Sequence, residues 1–260
     1  MNLVLTGAAL VAALMFVLWL IHLRTGNAAI VDAGWAGGLA ILGALYGWFG
    51  EGYAPRRALI AAMTVIWGVR LALFLLLARI LGHPEEGRYV ELRRKWVTHV
   101  PLKFLAFFQF QALTCVLLAV PFHLAASNPV PRITILEWSA VLLWLGAMAG
   151  EALADHQLNR FKSNPANRGR TCQAGLWRYS RHPNYFFEWL IWLSYALFAA
   201  GAPNGLWGML SPALMLYFIL FVTGIPPTEA QAVRSRGEEY RRYQRSTSAF
   251  FPWFPKKRVA

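Results

Sequence analysis

The feature that most limits this chain is a recurrence of apolar runs about 20 residues long, the length that crosses a hydrocarbon core of about 30 Å as a helix. They fall near 2–22, 28–49, 57–80, 103–125, 133–155, 184–202 and 205–224. Helix is the expected form, because a backbone in lipid must satisfy its own hydrogen bonds. Composition agrees: 57% of the chain is apolar and 14% charged, where a soluble domain is nearer half and a quarter. The sequence therefore predicts an all-α membrane protein, a bundle of about seven transmembrane helices in a single domain. The first run is too long for a cleavable signal peptide, and no small-residue cleavage site follows it.

Charge sets the expected orientation. With the N-terminus outside and seven spans, the inward segments are 23–27, 81–102, 156–183 and 225–260. With Lys103 at a span edge they carry 20 basic residues, against three outward: Arg56, Arg57 and Arg132. That is a strong positive-inside bias. It predicts a multi-pass membrane protein with its C-terminus and basic face in the cytoplasm. The net charge of +13 is explained by topology and attraction to membrane lipids, or by an anionic cytosolic ligand. No nucleic-acid motif accompanies it, so nucleic acid is not an expected partner. No obligate protein partner is evident either. Cys115 and Cys172 form no disulfide framework, and the six histidines lack metal-ligand spacing. No metal site is expected.

Function is sought where charge is expensive. Asp32, Glu151, Asp155 and Glu188 fall within predicted spans or at their ends, where an ionised group costs at least about 2.5–3.5 kcal/mol near the bilayer centre. Glu151 and Asp155 are four apart and share a helix face, as do Asn184 and Glu188. Asp32 falls about five residues into the second span, deeper than a cap. Arg70 lies well inside span three and is a natural partner for a buried acid, whereas Arg79 fits a snorkelling role. Pro183 suits a first helical turn, with Arg181 and His182 preceding it. Segment 81–102 opens on a Gly/Pro breaker and then reads as helix. Segment 156–183 reads mostly as loop, 234–247 as a short surface helix, and AFFPWFP as a segment docking back onto the bundle or the interface.

GLWRYSRHPNYFFEWLIWLSYAL (175–197) resembles the C-terminal signature of the steroid 5α-reductase family. EEYRRYQRSTSAFFPWFP (238–255), VDAGW (31–35) and GRYVELRRKW (87–96) extend the likeness over essentially the whole chain. The resemblance implies an NADPH-dependent reductase whose cytoplasmic half, about 81–260 here, holds the cofactor. It implies a lipophilic enone substrate entering from the bilayer, a 3-oxo-4-ene steroid or similar lipid. The family's asparagine and glutamate fall on Asn184 and Glu188, its tyrosine on Tyr179, its span-five aspartate on Asp155 with Glu151 beside it. Its arginines fall on Arg88 and Arg70. The same resemblance points to Asp32, Trp35 and Trp67 at the substrate; Tyr89 is expected beside them, and Asp32, Tyr89 and Glu188 are the expected catalytic groups. Here the mammalian enzymes carry a Gln-Glu pair in span two, and Trp67 stands in place of a tyrosine. Their histidine-rich tail segment is replaced by a stretch containing Thr228, Glu229 and Arg234.

No Gly-rich dinucleotide fingerprint is present, so cofactor phosphates would be held by basic side chains. Candidates are Arg88, Arg93, Arg94, Lys162, Arg170, Arg178 and Arg181, with His182, Glu229 and Arg234 nearby. A neutral carboxylic acid in an apolar site can donate to a carbonyl oxygen that gains charge during hydride addition; Asp32, with Tyr89, is the candidate. R-H-P-x-Y is also similar to the isoprenylcysteine carboxyl methyltransferases, which use S-adenosylmethionine. Phe186, Phe187 and Glu188 stand where those enzymes continue with glycine.

Overall fold

The computed structural model describes residues 2–256. Its regular structure is helical, and among the described residues the sole β-type pairing is an isolated bridge between Ser180 and Ser248. Among the described residues, six helices are long and apolar enough to cross a membrane: Leu3–Thr25, Ile30–Phe49, Ala54–Ile80, Val100–Ala126, Ile135–Ser163 and Gly205–Arg236. The remaining expected span is α8 (Pro183–Ala199), 17 residues long. At 1.5 Å per residue it reaches about 25 Å, the short end of the spanning range. The protein is an all-α, multi-pass membrane protein.

The chain divides into two compact units. One comprises the chain to Trp138 and Leu197–Ser211; the other comprises Ser139–Ala196 and the chain from Pro212.

In the first unit, α1 (Leu3–Thr25) is capped by the Asn2 side chain, which accepts from the Val4 and Leu5 amides, and stops at Gly26 with φ of 72°. A left-handed glycine after the last turn is the usual stop. α2 (Ile30–Phe49) and α3 (Ala54–Leu75) pack through small residues. A Cβ on Gly43 would lie 1.9 Å from Thr64 Oγ1, and one on Gly68 would lie 2.8 Å from the Ala36 carbonyl oxygen. Close backbone approach is how helices gain contact where lipid removes the hydrophobic drive. α3 continues as a π-turn to Ile80. α4 (Gly87–Lys95) follows, then α5 (Val100–Leu118) and α6 (Val120–Ala126), where Pro121 at the start of α6 marks the break.

Arg56 and Glu137 form an ion pair that the sequence reading missed, since Arg56 was counted only toward topology. Their side chains are 0% and 1% exposed. Arg56 also donates to the carbonyls of Asn128 (2.9 Å), Val130 (2.8 Å) and Arg132 (2.5 Å). Glu137 accepts from the Thr134 amide at 2.7 Å and hydroxyl at 2.8 Å. Every charge in this cluster has partners, as burial requires.

The second unit holds most of α7 (Ile135–Ser163), α8, α9 (Leu210–Tyr217), α10 (Ile225–Arg236) and α11 (Glu238–Ser246). Two expectations are corrected. The region after residue 155 is not loop at first: α7 runs unbroken to Ser163, because polar side chains such as Arg160 and Lys162 continue a helix as readily as apolar ones. Residues 234–247 are not one surface helix: Gly237, with φ of 56°, separates α10 from α11, and Tyr240 and Tyr243 are buried. The aromatic tail docks as expected. Phe250 sits 5.8 Å from the Phe186 ring and 6.0 Å from Trp189, and the Trp253 amide donates to the Tyr179 carbonyl at 2.9 Å.

Candidate functional site

In the first unit, Asp32, Arg88 and Tyr89 come together although 56 residues separate Asp32 from Arg88. Tyr89 donates its hydroxyl to Asp32 Oδ1 at 2.8 Å, and Arg88 pairs with Asp32 Oδ2. Arg88 also reaches Glu86 at 3.2 Å and lies 4.7 Å above the Tyr89 ring, a cation–π arrangement. Tyr89 is 1% exposed. Burial first, and the Asp32 carboxyl second, push its phenol well above the usual value. It therefore remains a neutral hydroxyl donor at physiological pH.

A second set of contacts fixes this cluster. Glu85 accepts from the Ala28 amide at 2.8 Å and from Arg93 at 2.9 Å, and Arg93 also donates to the Gly26 carbonyl at 3.1 Å. The α1–α2 connection is thereby stapled to the start of α4. Asp32 is not five residues into its helix: α2 begins at Ile30, so Asp32 occupies the first turn. The helix dipole there favours a carboxylate. Glu85 had no place in the sequence reading, and Arg93 is held by Glu85 rather than left open for a phosphate.

One turn along α2, Trp35 packs edge-on against Trp67 with centroids 6.1 Å apart. Its indole donates to Thr114 Oγ1 at 3.2 Å. Trp67 is fully buried, and Arg70, half-buried, follows one turn later on α3. Arg94 is exposed on α4.

In the second unit, Glu151 is buried and Asp155 half-buried one turn apart on α7. Asn184, in the first turn of α8, donates Nδ2 to Asp155 Oδ1 at 3.2 Å. That contact fixes the amide's orientation and leaves Asn184 Oδ1 buried with no hydrogen-bond partner. A buried orphan acceptor costs about 1–3 kcal/mol. Glu188, one turn on, accepts from Trp192 Nε1 at 3.0 Å.

Glu229 is the hub of a separate cluster. It accepts from Arg181 Nε at 2.6 Å, from Gln244 Nε2 at 2.7 Å and from Tyr240 at 3.5 Å, and meets His182 Nε2 at 3.2 Å. Arg181 further donates to the carbonyls of Gln244 (3.0 Å) and Thr247 (2.5 Å). The Arg-His pair before α8 is thus tied to α10 and α11. Tyr179 is half-buried, its ring 5.9 Å from Phe254. Lys162, Arg170, Arg178 and Arg234 are exposed. Gln244 and Tyr240 were not singled out from sequence, because a hub joined across 48 residues leaves no local signal. Glu229→Gln removes the charge but keeps the shape. It is expected to cost roughly 1–3 kcal/mol, read as a lower melting temperature and faster proteolysis of the tail.

Residues 18–247 match the family described as "Protein of unknown function (DUF1295)". The chain is also similar to the uncharacterized protein C594.04c of Schizosaccharomyces pombe, 30% identical over 263 residues, covering 91% of this chain and 76% of that protein. No solved structure matches. With the family match running through all but the chain's two ends, the protein belongs to the DUF1295 family.

Proposed function

We propose that the protein reduces the carbon-carbon double bond of a lipophilic enone, a 3-oxo-4-ene steroid or similar lipid, with NADPH. The observation that carries this reading is the Asp32–Tyr89–Arg88 cluster. Reduction of an enone loads negative charge onto its carbonyl oxygen, and an aimed donor lowers that barrier. The Tyr89 hydroxyl is a neutral, buried group whose one hydrogen goes to Asp32 at 2.8 Å, so it serves a substrate carbonyl once Asp32 itself carries a proton. In the proposed mechanism Tyr89 receives the carbonyl oxygen. Asp32, when protonated, donates to the Tyr89 oxygen across the 2.8 Å contact and frees the Tyr89 hydrogen for that carbonyl, while Arg88 holds the carboxyl in place. After hydride adds to the β-carbon, the enolate takes a proton from water at its α-carbon. Trp35 and Trp67 supply an apolar wall for a ring system.

NADPH supplies the hydride when bound. Asn184, Asp155 and Glu188 would hold the nicotinamide. The orphaned Asn184 Oδ1 matches the N–H of its carboxamide, and that fit supports a nicotinamide over a ligand without donors. Glu151 and Tyr179 complete the set that the resemblance implies in the second unit, and the resemblance adds Arg70 in the first. Arg94, Arg170 and Arg234 are among the exposed basic side chains that phosphates can reach, and Lys162 is exposed beside them. Arg181 and His182 act through Glu229 in this reading, positioning the chain before Asn184. The cofactor side would face the cytoplasm of a bacterial inner membrane, with the N-terminus outside.

Thermal melting of the purified protein with NADPH and with S-adenosylmethionine tests this. NADPH at 100 times its Kd is expected to stabilise by about 2.7 kcal/mol. A rise with S-adenosylmethionine alone would transfer the protein to the methyltransferase class.

A further inference from the structure

The second unit carries a groove of about 490 Å³ that borders the Glu229 cluster through Arg181 and Gln244 and extends beyond it. Its basic lining is Arg181, Arg245 and Lys256; its aromatic lining is Phe251, Trp253 and Phe254; residues 246–248 add three hydroxyls. No lining residue is acidic. The groove is built rather than incidental: the Lys256 amide donates to the Ser246 carbonyl and the Trp253 amide to the Tyr179 carbonyl, both at 2.9 Å. The tail is thereby folded over the end of α11.

Its depth can be read from α8. Phe251 packs 5.9 Å from both Phe186 and Trp189, which lie about 4.5 and 9 Å along the helix from Pro183. Phe251 of the aromatic wall therefore lies beside the opening turns of α8, and basic residues line the same groove. Phe251, Trp253 and Phe254 remain 54%, 72% and 76% exposed. Exposed aromatics beside basic side chains are the pattern of a membrane interface. Arg245 pairs with Glu238 at 2.5 Å, but both side chains are more than half exposed, so a phosphate can compete for the guanidinium.

We propose that this groove is a binding site for an anionic phospholipid. The phosphate sits among Arg181, Arg245 and Lys256, and the acyl chains run along Phe251, Trp253 and Phe254. Each basic residue at a membrane surface favours an anionic lipid by about fivefold.

Native mass spectrometry of the full chain in detergent tests the site, with phosphatidylglycerol and phosphatidylcholine as probes. The native protein should retain phosphatidylglycerol in preference, and R245Q/K256Q should lose that preference by on the order of tenfold. A charge-matched control away from the groove, R24Q/R132Q, should keep it. Trp253→Ser, which leaves the charges, should weaken retention of both lipids at an unchanged melting temperature. Excess inorganic phosphate should not displace the lipid. Equal retention of the two lipids would overturn the proposal. So would a preference that survives in R245Q/K256Q, displacement by phosphate alone, or a groove closed by a second copy of the chain and seen as a dimer mass.

Discussion

Asp32→Ala is expected to abolish enone reduction while leaving NADPH binding intact. The substitution removes the acceptor of the Tyr89 hydroxyl and the partner of Arg88 in one step. Tyr89 then keeps its phenol but loses the group that orients it and donates to its oxygen. Loss of a general acid–base partner costs about 10²–10⁴-fold, and misplacement of the remaining donor adds to it. Tyr89→Phe should reproduce most of the loss, because it removes the hydroxyl itself. Single-turnover rates with saturating NADPH measure both, and cofactor titration by melting temperature reports binding separately. An Asp32→Ala protein that still turns over would remove Asp32 from the mechanism.

The largest expected effect on stability lies far from that cluster in sequence. Arg56→Ala strands the Glu137 carboxyl at 1% exposure and leaves three loop carbonyls without their donor. Breaking one side of a buried ion pair costs about 3–5 kcal/mol, a large share of a native stability of about 5–15 kcal/mol. The variant should melt well below the native protein or fail to accumulate. Adding Glu137→Leu removes the stranded charge, so the double variant should recover part of the loss. Recovery stays partial because the carbonyls of Asn128, Val130 and Arg132 remain unpaired. Thermal melting in detergent compares the three proteins.

These two residues also mark what the sequence could and could not reveal. Apolar run length located the helices, since lipid leaves the backbone no alternative. Asp32 and Tyr89 were legible together, Asp32 because a carboxyl is costly at that position. Arg88, by contrast, was expected at cofactor phosphates, and its pairing with Asp32 across 56 residues left no local signal. The docking of Phe250 was legible because a late aromatic cluster needs a surface to bury against. Arg56 was not legible. A charge near a span end looks the same whether it is solvated or buried, and only its distant partner Glu137 distinguishes the two. Boundaries slipped for a related reason. Hydropathy tracks polarity, whereas helix ends follow caps and backbone, so α7 passes through Arg160 and Lys162 before stopping at Ser163. Asp32 entered the first turn of α2 because the apolar pair Ala28–Ala29 lies outside the helix. The Glu229 hub and the Glu85 staple depend on contacts between distant segments, which no local pattern encodes.

The central claim is hydride transfer to an enone, and isotope tracing tests it most directly. Purified protein is mixed with NADPH deuterated at the transferring position and a 3-oxo-4-ene steroid, and the product is analysed by mass spectrometry and NMR. The account predicts a saturated ketone carrying deuterium at the former β-carbon, with matching loss of NADPH. Recovery of unreduced steroid across a panel of lipophilic enones, from a folded protein shown to bind NADPH, would contradict it.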